Sequence, residues 1–476
     1  MPKSPEPPSV EETDKYGEEK APLLLETHQR DPPSRLHTPH IMRRDRLQGK
    51  SGIAQTIFNL MNTYIGSGMM SLPHGFAEMG FFLSSGFLAF VAYMCCVGQE
   101  IVIRACHISG WRTLTEVSRH ELGHWVGVLS QVSIIVNNFG ILIVYLIVIG
   151  DVLVGTDDRR GVLTSLAGVA PGEVWYLSRW FTVSLVCILV LQPLVLQKRL
   201  HHLTGSSGFA VALAFTFGGF MTVLMILAQS AGKGADFQAG LNTEIDTKMN
   251  NCGVNIALDG FSILWFAYIG YYNIPPLMNE LKDYTSFGMV KSIRIAVAAT
   301  SVLYFAVGNT AMFTFGDDTR GDILLNLSYS SLSQFMSPAS ARSLSYIITV
   351  GYAIKLMLIY PMENWALREN LSDLFGGSQQ PTGWMFYAIT YGVTICACLI
   401  SLSVSSVVWL VSLIGSTTST IIGFTLPAML SQRFDEGSLC SRIIVPFYWV
   451  LTVVFMFHGL VAQSWILAKE SPIYCF

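Results

Sequence analysis

The sequence predicts an all-α polytopic membrane protein with eleven transmembrane helices, arranged as a five-plus-five inverted repeat whose helices 1 and 6 are broken. Three observations carry this. The 476 residues are 51% hydrophobic and 13% charged, with mean hydropathy +0.47, whereas soluble domains carry about 25% charge. Eleven apolar stretches reach the roughly 20 residues that a bilayer requires; they lie near 52–78, 81–106, 125–152, 177–196, 207–229, 254–280, 292–315, 345–367, 385–404, 407–430 and 443–466. The first and sixth of these are interrupted at their centres. Five segments per repeat invert the second copy, because an odd number flips it, and the eleventh is left over. This arrangement rests on order alone, without a residue-level repeat.

The first segment reads FNLMNTYIGSGMMSLPHGFA, with Gly66, Ser67 and Gly68 in its middle and Pro73 beyond. The sixth reads ILWFAYIGYYNIPPLM, with Gly270, Tyr271, Tyr272 and Asn273 before Pro275 and Pro276. Proline has no N–H, and its ring clashes with the carbonyl four residues back. Pro275 and Pro276 therefore release the carbonyls of Tyr271 and Tyr272, and Pro73 that of Met69. Backbone freed at mid-membrane must line a protein-walled cavity, since hydrocarbon offers no hydrogen bonds. Two broken helices at corresponding positions of two halves point to a transporter binding site.

Residues 1–50 read as a disordered cytosolic tail, rich in proline and mixed charge. The transporter domain follows over 51–466, and 467–476 form a short non-cytosolic tail. Of the 29 Lys and Arg, 20 fall on the side of the N-terminus and 8 on the other, with Lys355 inside a span. That bias predicts a cytosolic N-terminus. The sequon Asn326-Leu327-Ser328 then faces the lumen or exterior, where glycosylation can occur. Cys252 and Cys475 lie outside as well, where a disulfide is permitted but not deducible. Glu19-Lys20-Ala21-Pro22-Leu23-Leu24 has the form of an acidic dileucine signal read by a sorting adaptor.

Phe58-Asn59-Leu60-Met61-Asn62, then Gly66-Ser67-Gly68 and Leu72-Pro73, resembles the first helix of the amino-acid/auxin permease superfamily. The nearest branch is that of sodium-coupled neutral amino-acid transporters and vacuolar amino-acid transporters. Tyr360-Pro361-Met362-Glu363 with Arg368-Glu369 resembles the eighth helix and its exit, and Tyr145 with Gly150-Asp151 fits the third. The resemblance spans about residues 50–466. It implies a LeuT-type fold and secondary active transport of neutral amino acids across a vacuolar, lysosomal or plasma membrane.

On that resemblance Asn62 corresponds to a sodium-site asparagine, and with Asn59, Thr63 and Gly66 it shares one helical face. Gly66, Ser67 and Gly68 would offer N–H groups to a substrate carboxylate at the positive end of a half-helix. Close packing of small residues is the structural alternative. Carbonyls near Gly270–Asn273 would take the substrate ammonium, and Phe266, Tyr268, Tyr271 and Tyr272 would wall the pocket, although for any one aromatic plain core packing is the ordinary reading. Lys355 sits in GYAIKLMLIYP, where a charge costs about 2.5–3.5 kcal/mol on insertion scales. The family's sodium site uses hydroxyls on this helix, yet no Ser or Thr occurs from Gly351 to Leu371. A lysine ammonium can stand where sodium would, which leaves proton and sodium both open as coupling ion; snorkelling to an interface is the structural reading. Asp151 reads as an outer gate or proton acceptor, or as a solvated helix end, Glu363 as a partner of Arg368, and the hydroxyls from Ser412 to Thr420 as packing.

No hydrolase, phosphate-loop or metal motif occurs, and Gly-x-Gly at Gly66 lacks the βαβ context of a nucleotide site. The sequence thus excludes an enzyme and nucleic-acid binding, and it leaves a transporter or an amino-acid-sensing receptor.

Overall fold

The computed structural model describes residues 51–66, 68–156, 159–196, 206–235, 253–282, 284–375, 381, 383–404, 406–435 and 439–468. Ser67, Cys252, Cys475, the dileucine segment, the tail 1–50 and residues 469–476 lie outside the described residues.

The chain is helical throughout its spans: α1 (Ile53–Tyr64), α2 (Gly68–Ser109), α3 (His124–Leu153), α4 (Arg179–Val195), α5 (Ser206–Ser230), α6 (Gly253–Ala267), α7 (Ile274–Glu280), α8 (Ser286–Phe315), α9 (Pro338–Leu374), α10 (Gly383–Ser403), α11 (Val407–Ser416), α12 (Leu426–Phe434) and α13 (Leu439–Ala468). Among the described residues nine helices are long and apolar enough to cross a membrane. The expected count of eleven is not reached on these criteria, for two physical reasons. The first span is split, its first half being the 12-residue α1 and its second half fused into α2. The fourth, α4, is a shorter apolar helix.

Both predicted breaks are present. α1 stops at Tyr64 and α2 starts at Gly68. Helix continues through Pro73, and the turn between the first two spans comes at Gly80, whose φ of 75° favours glycine. α6 ends at Ala267, the chain is non-helical to Gly270, and Tyr271–Asn273 form a single 3₁₀ turn leading into α7. Pro275 and Pro276 occupy the first turn of α7, where a missing N–H is tolerated.

The half-helices pair with one another. On the side where α1 begins, termed the inner side, Ser51 N–H donates to the Glu280 carbonyl (3.0 Å) and Lys282 N–H to that of Ser51 (2.9 Å), tying α1 to the end of α7. On the outer side α2 lies against α6 so closely that a Cβ on Gly68 would fall 2.4 Å from Ala267 Cβ. Around these half-helices α8 packs on α1 and α2, the α11–α12 span packs on α6 and α2, and α9 packs on α3. Trp265 of α6 stacks on Phe424 at 3.8 Å and donates to the Ser419 carbonyl at 3.1 Å.

A lid covers the outer side between α8 and α9. It comprises the turn Gly316–Asp318 and the short helices Ile323–Asn326 and Tyr329–Leu332. Arg159 fastens it by donating to the Leu325 carbonyl (2.6 Å) and Ser331 Oγ (2.8 Å), and Ser345 Oγ donates to the Leu327 carbonyl (2.6 Å). Asp322 caps the first lid helix, accepting from Leu324 N–H at 2.9 Å, yet it is 2% exposed and its Oδ2 has no partner. Burial, reinforced by the Asp151 charge, pushes the Asp322 carboxyl up to about 8.

A carboxyl raised in the folded state contributes stability at low pH that fades as pH climbs from the unfolded value near 3.9 towards the folded one. Asp322→Asn keeps the cap and removes the titration. It should raise the melting temperature of the purified protein above about pH 8 and change it progressively less as pH falls to about 5. A pH-independent effect in differential scanning fluorimetry would contradict this account.

Candidate functional site

The break frees carbonyls at a depth where water is absent, and three side chains answer them, while a fourth links the two broken segments. Tyr304 of α8 donates to the Tyr64 carbonyl (2.5 Å) and lies 3.0 Å from that of Ala267, so one hydroxyl spans both breaks. Tyr352 of α9 donates to the Gly66 carbonyl at 3.2 Å. Lys355, 4% exposed, donates through Nζ to the Ile65 carbonyl at 3.4 Å and rests 4.9 Å over the Tyr352 ring. Asn273 Nδ2 donates to Thr63 Oγ1 at 3.4 Å, which links the two breaks directly.

A cavity of about 220 Å³ runs from the level of the breaks to the inner ends of α1, α7 and α9. Asn59, Asn62 and Thr63 form one wall, Tyr272 and Asn273 another, and Glu363 of α9 the third. Asn62 is 6% exposed and its Oδ1 has no partner, as is true of Asn59 Oδ1. Buried acceptors of this kind call for a donor from a ligand or water. Ile134, Leu277, Ile359 and Met362 supply apolar surface between these polar groups. Above the cavity Tyr64, Ile65 and Tyr304 are at most 1% exposed, so the site opens inward and is shut outward.

The residues expected to bind substrate divide into two groups. Asn62 and Asn273 line the cavity. Gly66, Gly68 and Gly270 lie at the breaks, where close approach needs them. A Cβ on Gly66 would come 2.8 Å from Tyr145 Oη, and one on Gly270 3.0 Å from the Tyr64 ring. Tyr268 and Tyr271 do not line the cavity. Tyr268 Oη pairs with Ser301 Oγ at 2.6 Å, and Tyr271 Oη turns to the Cys95 carbonyl at 3.4 Å. The substituent at 268 or 271 that sequence order assigned to a pocket wall is packed against α8 or α2 because the unwound turn rotates it there.

Three further placements differ from expectation. Glu363 is not the partner of Arg368; it is hydrogen-bonded with Tyr272. Arg368 instead donates to the Val195 carbonyl (3.3 Å) and Thr390 Oγ1 (3.2 Å) and lies 4.3 Å over Phe386. Asp151 is neither free nor solvated, being ion-paired with Arg179 of α4. Asn326 is 1% exposed, with Nδ2 donating to the Asp318 carbonyl and Oδ1 accepting from Arg320 N–H; a glycan would have to be attached before the lid packs. Among the tenth-segment hydroxyls, Ser412 donates to Asp259 and Ser419 to Asn137 Oδ1, while the rest return to their own helix. Sequence reasoning missed Tyr304 and Tyr352 as partners of the breaks, because tyrosines in a span carry no pattern that separates a carbonyl cap from core.

The comparisons agree with this geometry. The family described as transmembrane amino acid transporter protein matches residues 49–468. Amino acid transporter AVT6C of Arabidopsis thaliana is 29% identical over 413 residues, 85% of this chain and 91% of that protein. Vacuolar amino acid transporter 6 of Saccharomyces cerevisiae is 22% identical over 464 residues, 87% of this chain and 96% of that one. The crystal structure of MhsT in complex with L-phenylalanine superposes with a TM-score of 0.58 at 15% identity, covering 87% of this chain and 99% of its own. That likeness shows the LeuT-type fold, with its two broken helices.

Tyr304→Phe removes one hydroxyl and strands a carbonyl on each break. It should destabilise the protein by roughly 1–3 kcal/mol, the usual penalty for an unmade buried hydrogen bond. Tyr268→Phe breaks only a side-chain pair and should cost less. Denaturant melts of the two variants in detergent check the order, and equal effects would count against the bridging role.

Proposed function

The chain belongs to the transmembrane amino acid transporter family, and from that premise we propose that it moves neutral amino acids across a vacuolar or lysosomal membrane, coupled to protons and independent of sodium. Names of relatives in plants and yeast support amino-acid transport and, in the yeast case, the vacuole. The apolar flank of the cavity supports an uncharged side chain, and the freed backbone at Gly66–Gly68 and Gly270–Asn273 supports binding of the carboxylate and ammonium common to all amino acids. A cytosolic N-terminus places the open cavity on the cytosolic face. Alternating access then exchanges this state for one in which the lid is lifted and the inner ends of α1 and α7 close.

The contact of Lys355 Nζ with the Ile65 carbonyl carries the reading. It sets a fixed cation between α9 and the break in α1, one turn beyond Asn62, where the resemblance puts a sodium ion held partly by α9 hydroxyls. An ammonium with carbonyl and aromatic neighbours replaces that ion's charge. Losing its proton would remove a bridge between two elements that move relative to each other, and proton binding would shift the two-state equilibrium by its differential affinity.

In proteoliposomes, replacing sodium by choline at fixed pH should leave uptake unchanged; a large fall would refute sodium independence. Lys355→Met should fold and bind but lose accumulation driven by a pH gradient, and Lys355→Thr should gain partial sodium dependence because it restores a hydroxyl. Residues Glu19 to Leu24 are proposed to direct the protein to its internal membrane. Changing Leu23 and Leu24 to Ala should move a tagged copy to the cell surface, and an unaltered distribution would remove that role.

A further inference from the structure

His74 stands on the outer half of α2, away from the cavity, and its ring touches a carbonyl and a carboxyl group. Nδ1 is 3.0 Å from the carbonyl oxygen of Thr319 in the lid, and Nε2 is 3.3 Å from Glu78 Oε1 one turn along α2. A neutral imidazole has one N–H and can donate to one of these acceptors; imidazolium donates to both. If the carboxyl of Glu78 carried the hydrogen instead, it would donate to Nε2 and leave Nδ1–H for Thr319. Either way, these two contacts need one proton more than a neutral ring and a carboxylate possess. We infer that the His74–Glu78 pair is a proton-binding site on the outer side, and that the proton it holds latches the lid shut.

The pair is open to solvent and lies among charged groups of three elements. The His74 and Glu78 side chains are 25% and 37% exposed, which gives the outer solution access. Asp259 of α6 faces His74 electrostatically. Asp259 in turn accepts from Ser412 of α11 and is 3.1 Å from His458 Nε2 of α13. On the lid, Asp317 and Asp318 precede Thr319 and are exposed. Acidic groups therefore stand on the helix of His74, on α6 and on the lid, and the basic groups beside them are His458 at Asp259 and Arg320, which follows Thr319 on the lid.

Loss of the proton leaves the ring able to serve only one acceptor. Thr319 is 4% exposed, so a carbonyl released there lies where water reaches it poorly, and an unmade buried bond penalises the closed lid. An acidic outer compartment thus holds the lid down and biases the protein towards the inward-open state described above, and a neutral one releases it. This goes beyond the role proposed for Lys355, which sits at the break and not at the lid.

The test uses full-length protein in liposomes and hydrogen–deuterium exchange of residues 316–332, expressed as protection corrected for intrinsic rates. All samples carry Asp322→Asn, so the lid carboxyl does not titrate. Lid protection should be about ten-fold higher at an outer pH near 5.5 than near 8, a coupling of ordinary size. His74→Gln, whose amide donates without titrating, should reduce the difference to less than about two-fold. Glu78→Gln lets an amide donate to Nε2, so the latch no longer needs the extra proton and the lid should be protected at both pH values; this variant decides the matter if His74→Gln does not fold. His458→Gln should keep the pH difference. Absence of a difference in the parent, its full retention in His74→Gln or Glu78→Gln, or its loss in His458→Gln would overturn the assignment.

Discussion

Everything in this protein answers to one constraint: two helices are broken where no water can satisfy the freed backbone. The carbonyls of Tyr64, Ile65, Gly66 and Ala267 are met by Tyr304, Lys355 and Tyr352, all from α8 and α9. Those two helices therefore cap the breaks as well as flank them. The same constraint explains the glycines, since Gly66 and Gly68 have no room for a Cβ beside Tyr145 and Ala267. It also explains why a lysine is tolerated at this depth, because its ammonium bonds a carbonyl that would otherwise be stranded.

Motion follows from how the half-helices are paired. The inner halves α1 and α7 are joined by backbone bonds through Ser51, so they can swing as a unit. The outer halves are pressed together at Gly68 and Ala267 and are pinned through Trp265 to the α11–α12 span. The lid adds a second, outer contact set through Arg159, Ser345 and His74. Inner and outer gates are thus built from different bonds. Each can be biased without breaking the other, which alternating access requires.

The breaks were legible because glycine and proline disturb backbone hydrogen bonding wherever they fall, independent of tertiary context. Lys355 was legible because a charge inside a span needs a partner. The direction of each tyrosine was not legible. Tyr268, Tyr271 and Tyr272 are near neighbours in sequence, but the unwound turn sends the first to Ser301, the second to Cys95 and the third to Glu363. The partner of Glu363 was misread for a related reason. Arg368 is near in sequence, but the helix turns it towards Phe386 and Thr390. Asn326 shows the limit of a short motif, since its sequon says nothing of the lid that buries it. The helix count was blurred where one span is split and the next fused across Gly80.

The central claim is that the cavity beneath the breaks binds an amino acid and delivers it across the membrane. Solute counterflow tests this most directly: proteoliposomes preloaded with one unlabelled amino acid at a time are given a trace of the same labelled compound outside, with no ion gradient. The account predicts transient accumulation of label for at least one neutral amino acid. Protein that is folded, and stabilised by an amino acid, yet exchanges none of them would contradict transport and leave a sensing receptor in its place.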